Sequence, residues 1–538
     1  MNSLEVRWVW KITLLAIVLA NLPFAIAAVA APHGTVYTGI SSVAPGDLNV
    51  YLSYLEQVRQ GHFILRDLFT AEPQPATLIN PFWLTLGLLG SVLRLAPLAT
   101  YIMSRIILGG ALLFLIYRFA AYFFDDVLRR RAAFLLAVFA SGIGAWVEPV
   151  LRAVNSSPDA AMPMDLWVSE AFTFLSLRHS PHFIMVTILI IATAWLMIRS
   201  AERSSMKDAV FAGLCMLALY SFHPFHVVSF AYITVGTLIT LFIIRRHDFV
   251  RDLGRYSVMW FIASPAIMYH VLLIVYDPFA KGRSLQNILV TTQPLLTLAS
   301  YGLLFVGAVV GATILFRTKT IRHRMLVVWA MAHMAAIYAP VFFNRRVTHG
   351  LNIALAMCAA AAVPFVISKI RTLSLRESIR TPLFAVIAFL ALGISNVWVQ
   401  AQDLSFFLRE GRTTPSFFYM GNDYRGAFTW LERNGNDSTV VLSGTIIGNF
   451  VPGRSGRRVV VGHNVETVDI QQKLPEVRKF FTPATDDSWR QAYLARNNVT
   501  HVLLGPRERA LGYSNTEKAP YLISVYSYSL VTLYSVSL

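Results

Sequence analysis

Stretches of roughly 18 to 22 apolar residues, separated by short runs of Lys and Arg, recur from the N-terminus to about residue 400, and no water-soluble core accommodates so many of them. Most are long enough, at about 1.5 Å per residue, to cross the hydrocarbon of a bilayer as a helix. The blocks fall at 9–31, 100–122, 132–148, 182–199, 208–222, 225–244, 256–275, 295–316, 324–341, 350–368 and 382–400. They predict a mainly α polytopic membrane protein of about 11 transmembrane helices.

A further block at 80–97, "NPFWLTLGLLGSVLRLAP", is apolar enough for a twelfth crossing. Charge decides against it. If 80–97 stays out of the bilayer, the basic clusters at 129–131, 199–207, 245–255, 317–324 and 369–380 all fall on the side of the N-terminus; if it crosses, they invert. The positive-inside rule therefore predicts a cytoplasmic N-terminus and an interfacial helix at 80–97 on the outer surface of the inner (plasma) membrane. The same rule accounts for a net charge of +17, which lies in these clusters and not along one soluble face, so nucleic acid is excluded as a partner. The block at 9–31 ends in "AIAAVAA", like a signal-peptide cleavage site, but its length and the spans that follow favour a retained anchor. Cys215 and Cys358 both sit in apolar blocks and offer neither a disulfide framework nor a metal motif.

With that topology the non-cytoplasmic segments are 32–99, 149–181, three short turns or loops, and everything after about 401. The chain reads as a transmembrane domain, 1–400, carrying outer loops 32–99 and 149–181, and a small extracytoplasmic α/β domain, 401–538. In the latter, β-prone runs "STVVLSG", "RRVVVGH", "THVLLG" and "YLISVYSYSLVTLYSV" are interleaved with helical "YRGAFTWLERNG" and "SWRQAYLARNN".

In the first outer loop, "APGDLNVYLSYLEQ" places Leu48, Tyr51, Leu52 and Leu55 at helical spacing, predicting an amphipathic helix along the bilayer, ended by Gly61, with Asp47 at its N-cap. Capping alone explains an Asp there. Asp67 and Glu72 follow in the same loop. The second loop concentrates Glu148, Asp159, Asp165, Glu170, His179 and His182, and His182 with Glu170 is a candidate pair for a divalent cation or an acceptor. "FHPFH" is explained by a Pro-broken turn, although His223 opens to the same side. Arg345 and Arg346 in "FNRRVTHG" lie where the positive-inside rule disfavours Arg; a guanidinium pair there suits a phosphate, or snorkels to the heads of ordinary membrane lipids. "VPGRSGRRVVVGHNVET" is Gly-rich and basic but lacks both phosphate-loop patterns, and a turn between strands explains its glycines.

This order of parts resembles the GT-C superfamily of membrane glycosyltransferases: one span, a long outer loop with an early acidic residue, juxtamembrane helices, about ten further spans and an outer C-terminal domain. The resemblance implies that Asp47 acts as base on the acceptor or as a metal ligand. It makes Asp165, with Glu170, the second acidic element, and Arg345 with Arg346 the clamp for a polyprenyl-phosphate headgroup, His182 and His223 lining the substrate site. A divalent cation, if used, would fall to Asp47, Asp165 and His182. The implied partners are a polyprenyl-phosphate-linked sugar and an envelope glycan, lipid or protein acceptor. The competing class is a transporter or flippase of lipid-linked intermediates, or an inactive membrane scaffold; transporters usually carry ionisable groups at the mid-plane of their spans and inverted repeats, whereas these spans are mostly clean of ionisable groups at their centres, His270 and His333 being nearer the ends or isolated, and no internal repeat is visible.

Overall fold

The computed structural model describes residues 3–154, 162–372, 377–410, 418–512 and 519–538. By contact the chain forms two compact units: the first is Met1–Leu22, Ser104–Val271 and Ile288–Gln402, and the second is Pro23–Met103, Leu272–Asn287 and Asp403–Leu538. The first outer loop, expected with the membrane domain, thus groups with the C-terminal segment.

Among the described residues eight helices are long and apolar enough to cross a membrane: Ser3–Val29, Pro97–Phe123, Val127–Val154, Pro181–Arg203, His226–Ile244, Arg246–Tyr276, Pro294–Arg317 and Asn344–Arg371. Pro382–Leu392 and Ile394–Arg409 meet at a bend of 62° and make a ninth if counted together. The predicted spans at 208–222 and 324–341 are helices Met206–Phe222 and Ile321–Ala336, of only 17 and 16 residues. Large apolar side chains such as Leu15, Ile107, Phe261 and Met268 stand exposed on the long helices, the outward face of an integral membrane protein.

Small residues set the packing of the first unit. Helix Leu351–Arg371 begins with a run from Leu351 to Ala362 that is buried throughout, and its alanines let Pro294–Arg317 approach so closely that a Cβ at Gly311 would stand 1.8 Å from the Cys358 carbonyl oxygen. In the same helix Gly302 takes a positive φ of 46°, a kink that glycine accommodates without strain.

In the second unit, residues 80–97 do not form one long helix. Asn80 caps a helix at Pro81–Val92 by accepting the Trp83 N–H at 3.2 Å, and a new helix starts at Pro97. Twelve residues are too short to span, and Leu88, Leu89 and Val92 are exposed while Phe82 and Trp83 are buried, as an interfacial helix requires. Helix Asp47–Arg59 ends as expected at Gly61, whose φ is +93°. It does not present one face to a bilayer, however: Leu48–Val50 and Leu52–Val58 are all buried.

The C-terminal segment holds a five-stranded sheet of β3 (Val440–Leu442), β4 (Arg458–Val459), β5 (His501–Leu504), β6 (Leu522–Tyr528) and β7 (Val531–Val536) in the order β4-β3-β5-β7-β6. β4, β3 and β5 are parallel, with Val441 opposite both Val459 and His501; β7 is antiparallel to both neighbours. Val440, Leu442, Val502, Leu504, Phe480 and Tyr493 share its core. A separate pair, β1 (Thr35–Tyr37) with β2 (Tyr419–Gly421), ties the first outer loop to this segment. The sheet matches the predicted runs, whereas the Gly-rich stretch partly forms a helix, Thr445–Ser455. Its Gly448 lies where a Cβ would stand 2.0 Å from the Val461 carbonyl oxygen, and Gly456 is its left-handed C-cap.

Candidate functional site

The first unit gathers basic and aromatic side chains around one carboxylate. The turn Asn344–Thr348 carries Arg345 and Arg346, and the segment after the turn Met164–Leu166 carries Glu170. Arg345 Nε lies 3.8 Å from Glu170 Oε1, and its guanidinium sits over the Trp167 ring at 4.6 Å. Arg346 lies over Phe225 at 5.6 Å; its Nε has no hydrogen-bond partner, and among the described residues no carboxylate pairs with it. Burial alone would raise the Glu170 pKa, but the charges of Arg346 and Arg345 more than offset this and hold it below the usual range. The cluster therefore keeps an excess of positive charge over its one carboxylate.

Beside it stand four histidines. The His182 and His223 rings are 5.9 Å apart, His223 and His226 5.1 Å, and His226 and His349 5.6 Å. Ser180 holds His182 Nδ1 at 2.8 Å, Ser229 holds His226 Nδ1 at 3.1 Å and Thr187 holds His349 Nε2 at 2.8 Å, while neither ring nitrogen of the buried His223 has a hydrogen-bond partner among the described residues. The sequence singled out His182 and His223; His226 and His349 join them from separate helix ends, which spacing along the chain does not reveal.

Asp165 sits differently. It is fully buried, and its Oδ2 accepts the Gly144 N–H at 3.0 Å, so close to that helix start that a Cβ at Gly144 would meet its Oδ1. Burial, offset in part by Ser395 and the Gly144 N–H, pushes its pKa up to about 6. It thereby satisfies one N–H at the buried start of that helix. Glu148 pairs with Arg152, and Asp159 lies outside the described residues.

The second unit contains Asp47, and here the expectation needs correction. The N-cap is Gly46, with no side-chain capping bond, and Asp47 is the first helical residue. A glycine at the cap leaves the Asp47 side chain to serve another partner: His463 Nε2 lies 3.2 Å from Asp47 Oδ1. Burial would lower the His463 pKa, but the hydrogen bond and charge of Asp47 raise it above the ordinary value. Close by, Arg283 pairs with Glu466 at 2.9 Å and approaches Asp67 at 3.9 Å. Burial holds Asp67 up to about 7; Arg283 opposes the rise and Glu466 adds to it. Glu72 pairs with Lys473 at 2.5 Å. His463 and Glu466 belong to the quoted "GHNVET", but nothing in that string signals a partner more than 400 residues earlier.

At the C-terminal ends of β3 and β5, where open α/β sheets bind ligands, Glu508 accepts the N–H groups of Gly444 at 2.8 Å and Gly505 at 3.0 Å. The chain's own carboxylate thus fills the place a phosphate would take. Among the described residues no three His, Cys, Asp or Glu side chains stand together as a metal-binding group.

No protein-family model and no curated protein matches the chain by sequence. Solved structures do match its fold. The archaeal oligosaccharyltransferase AglB from Archaeoglobus fulgidus, in complex with an inhibitory peptide and a dolichol-phosphate, aligns over 93% of this chain and 70% of its own, with TM-score 0.54 and 14% identity. The Archaeoglobus fulgidus oligosaccharyltransferase tethered with an acceptor peptide aligns over 99% and 74%, with TM-score 0.53 and 15% identity. ArnT from Cupriavidus metallidurans bound to undecaprenyl phosphate aligns over 97% and 98%, with TM-score 0.49 and 10% identity.

Proposed function

Because the chain has the GT-C fold of membrane glycosyltransferases, we propose that it transfers a sugar from a polyprenyl-phosphate donor to a cell-envelope glycan, lipid or protein on the outer face of the inner membrane. The observation that carries this reading is the Arg345–Arg346 pair: two guanidiniums on a polar turn that leads into an apolar helix, faced by one carboxylate, Glu170. A lipid-linked phosphate has that character: an anionic head on an apolar tail. A dolichol-phosphate accompanies AglB in its complex, which supports a donor of this class.

In the proposed reaction the acceptor O–H gives its proton to the Asp47 carboxylate as its oxygen bonds to the anomeric carbon. The bond from that carbon to the phosphate oxygen breaks, and its electron pair leaves on the phosphate. Arg346, which has no described ion-pair partner, takes up the charge that develops there; Arg345 does so while Glu170 and Trp167 hold its guanidinium in place. His223, with both ring nitrogens unpartnered, donates a hydrogen bond to the donor headgroup, and His182 lines the same side.

Binding of a labelled polyprenyl phosphate to the purified protein in detergent tests the clamp. Arg346→Ala is expected to weaken binding ~10-fold or more, the value of a charge-assisted hydrogen bond. Equal affinity of wild type and Arg346→Ala removes the clamp from the account.

A further inference from the structure

We infer that His463, from the C-terminal segment, is a positioning residue for Asp47, holding its carboxylate through the Nε2 proton in the orientation that receives the acceptor's proton. The inference rests on the glycosyltransferase reading above and adds a part that neither the first outer loop nor the spans supply.

The ring's tautomer follows from its surroundings. His463 Nδ1 accepts the backbone N–H groups of Val465 and Glu466, each at 3.2 Å, so in the neutral imidazole the proton resides on Nε2. Nε2 then donates to Asp47 Oδ1 at 3.2 Å. The His463 side chain is 9% exposed and that of Asp47 30%, so the histidine meets the carboxylate from its more buried side.

The approach is built in on both sides. A Cβ at Gly46 would stand 2.9 Å from His463 Cδ2, so the ring reaches Asp47 because the preceding residue is glycine. The segment behind the ring is braced: Thr467 Oγ1 accepts the N–H groups of Gly462 and His463 at 3.1 Å and donates to the Phe69 carbonyl at 2.8 Å. Glu466 is tied to Arg283, and Gln286 donates to the Val465 carbonyl at 3.1 Å. A carboxylate that must point one way during proton transfer needs such a brace.

Two substitutions separate the ring's two bonds. His463→Asn keeps an acceptor for the Val465 and Glu466 N–H groups but loses the donor to Asp47; His463→Gln brings an amide N–H to the Nε2 position but loses the acceptor. Sugar transfer from a polyprenyl-phosphate donor is measured in membranes with protein levels matched, beside unfolding midpoints of the purified variants. His463→Asn is expected to keep the wild-type midpoint and donor KM while kcat falls ~10- to 100-fold, the value of a hydrogen bond to a charged group. His463→Gln is expected to keep kcat within a few-fold. Wild-type kcat in His463→Asn, with Asp47→Asn inactive, overturns this role alone, as do losses in both variants that simply track their midpoints. Absence of transfer by the wild type overturns the glycosyltransferase reading and this role with it.

Discussion

Asp67 links the buried charges of the second unit to a measurable pH dependence. Its side chain is 4% exposed; one oxygen accepts the Phe69 N–H at 2.8 Å, the other has no hydrogen bond, and the nearest cation, Arg283, is already engaged by Glu466. Burial holds its pKa up to about 7, against 3.8 in an exposed chain. The folded protein therefore keeps a proton that the unfolded chain releases. The stability this confers is present in full below about pH 4 and is lost as pH rises through about 7. At about 1.4 kcal/mol per pH unit the loss is on the order of a few kcal/mol across that window. Asp67→Asn keeps an oxygen for Phe69 and never ionises. Unfolding midpoints of wild type and Asp67→Asn, followed from pH 5 to pH 8 in one detergent, should diverge in favour of the variant as pH rises. A difference between the two proteins that stays constant over the range refutes the reasoning, and one that grows in favour of the wild type refutes it more strongly.

Two further outcomes test the fold that carries the sites. Glu508→Ala strands the buried N–H groups of Gly444 and Gly505 and should cost about 2–5 kcal/mol, while Glu508→Gln, which keeps one acceptor, should cost less; thermal unfolding of the two variants checks the order. Gly311→Ala sets a methyl against the Cys358 carbonyl and should destabilise by about 1–3 kcal/mol or more, read as a lower midpoint and a lower yield of monodisperse protein; a midpoint equal to wild type contradicts the close crossing.

Hydrophobic periodicity carried most of the architecture, because in a bilayer length and apolarity alone define a span. It was least informative where an apolar block folds into a short helix, as at Met206–Phe222 and Ile321–Ala336, and where glycine serves close packing instead of a turn, as at Gly462, whose Cβ would stand 2.7 Å from the Gly448 carbonyl oxygen. The strands of the C-terminal sheet were legible from their β-branched runs. Asp47 was found by its place after the first span, yet its position was misread by one residue: propensity puts Asp at an N-cap, whereas here Gly46 holds that position and a side chain there would meet His463. His463 lies 416 residues from Asp47, and Glu466 lies 183 from Arg283; pairings at such separations are made by the tertiary fold and leave no local pattern. Asp165 stands against the Gly144 N–H, 21 residues away, a pairing made by burial and not by any local pattern.

The central claim is tested most directly by transfer of a radiolabelled sugar from polyprenyl-phosphate donors in membranes containing wild type, Asp47→Asn or Arg345→Ala at matched levels. The account predicts transfer by the wild type that each substitution abolishes. Full activity of Asp47→Asn, or no transfer by the wild type across a broad panel of donors and acceptors, contradicts it.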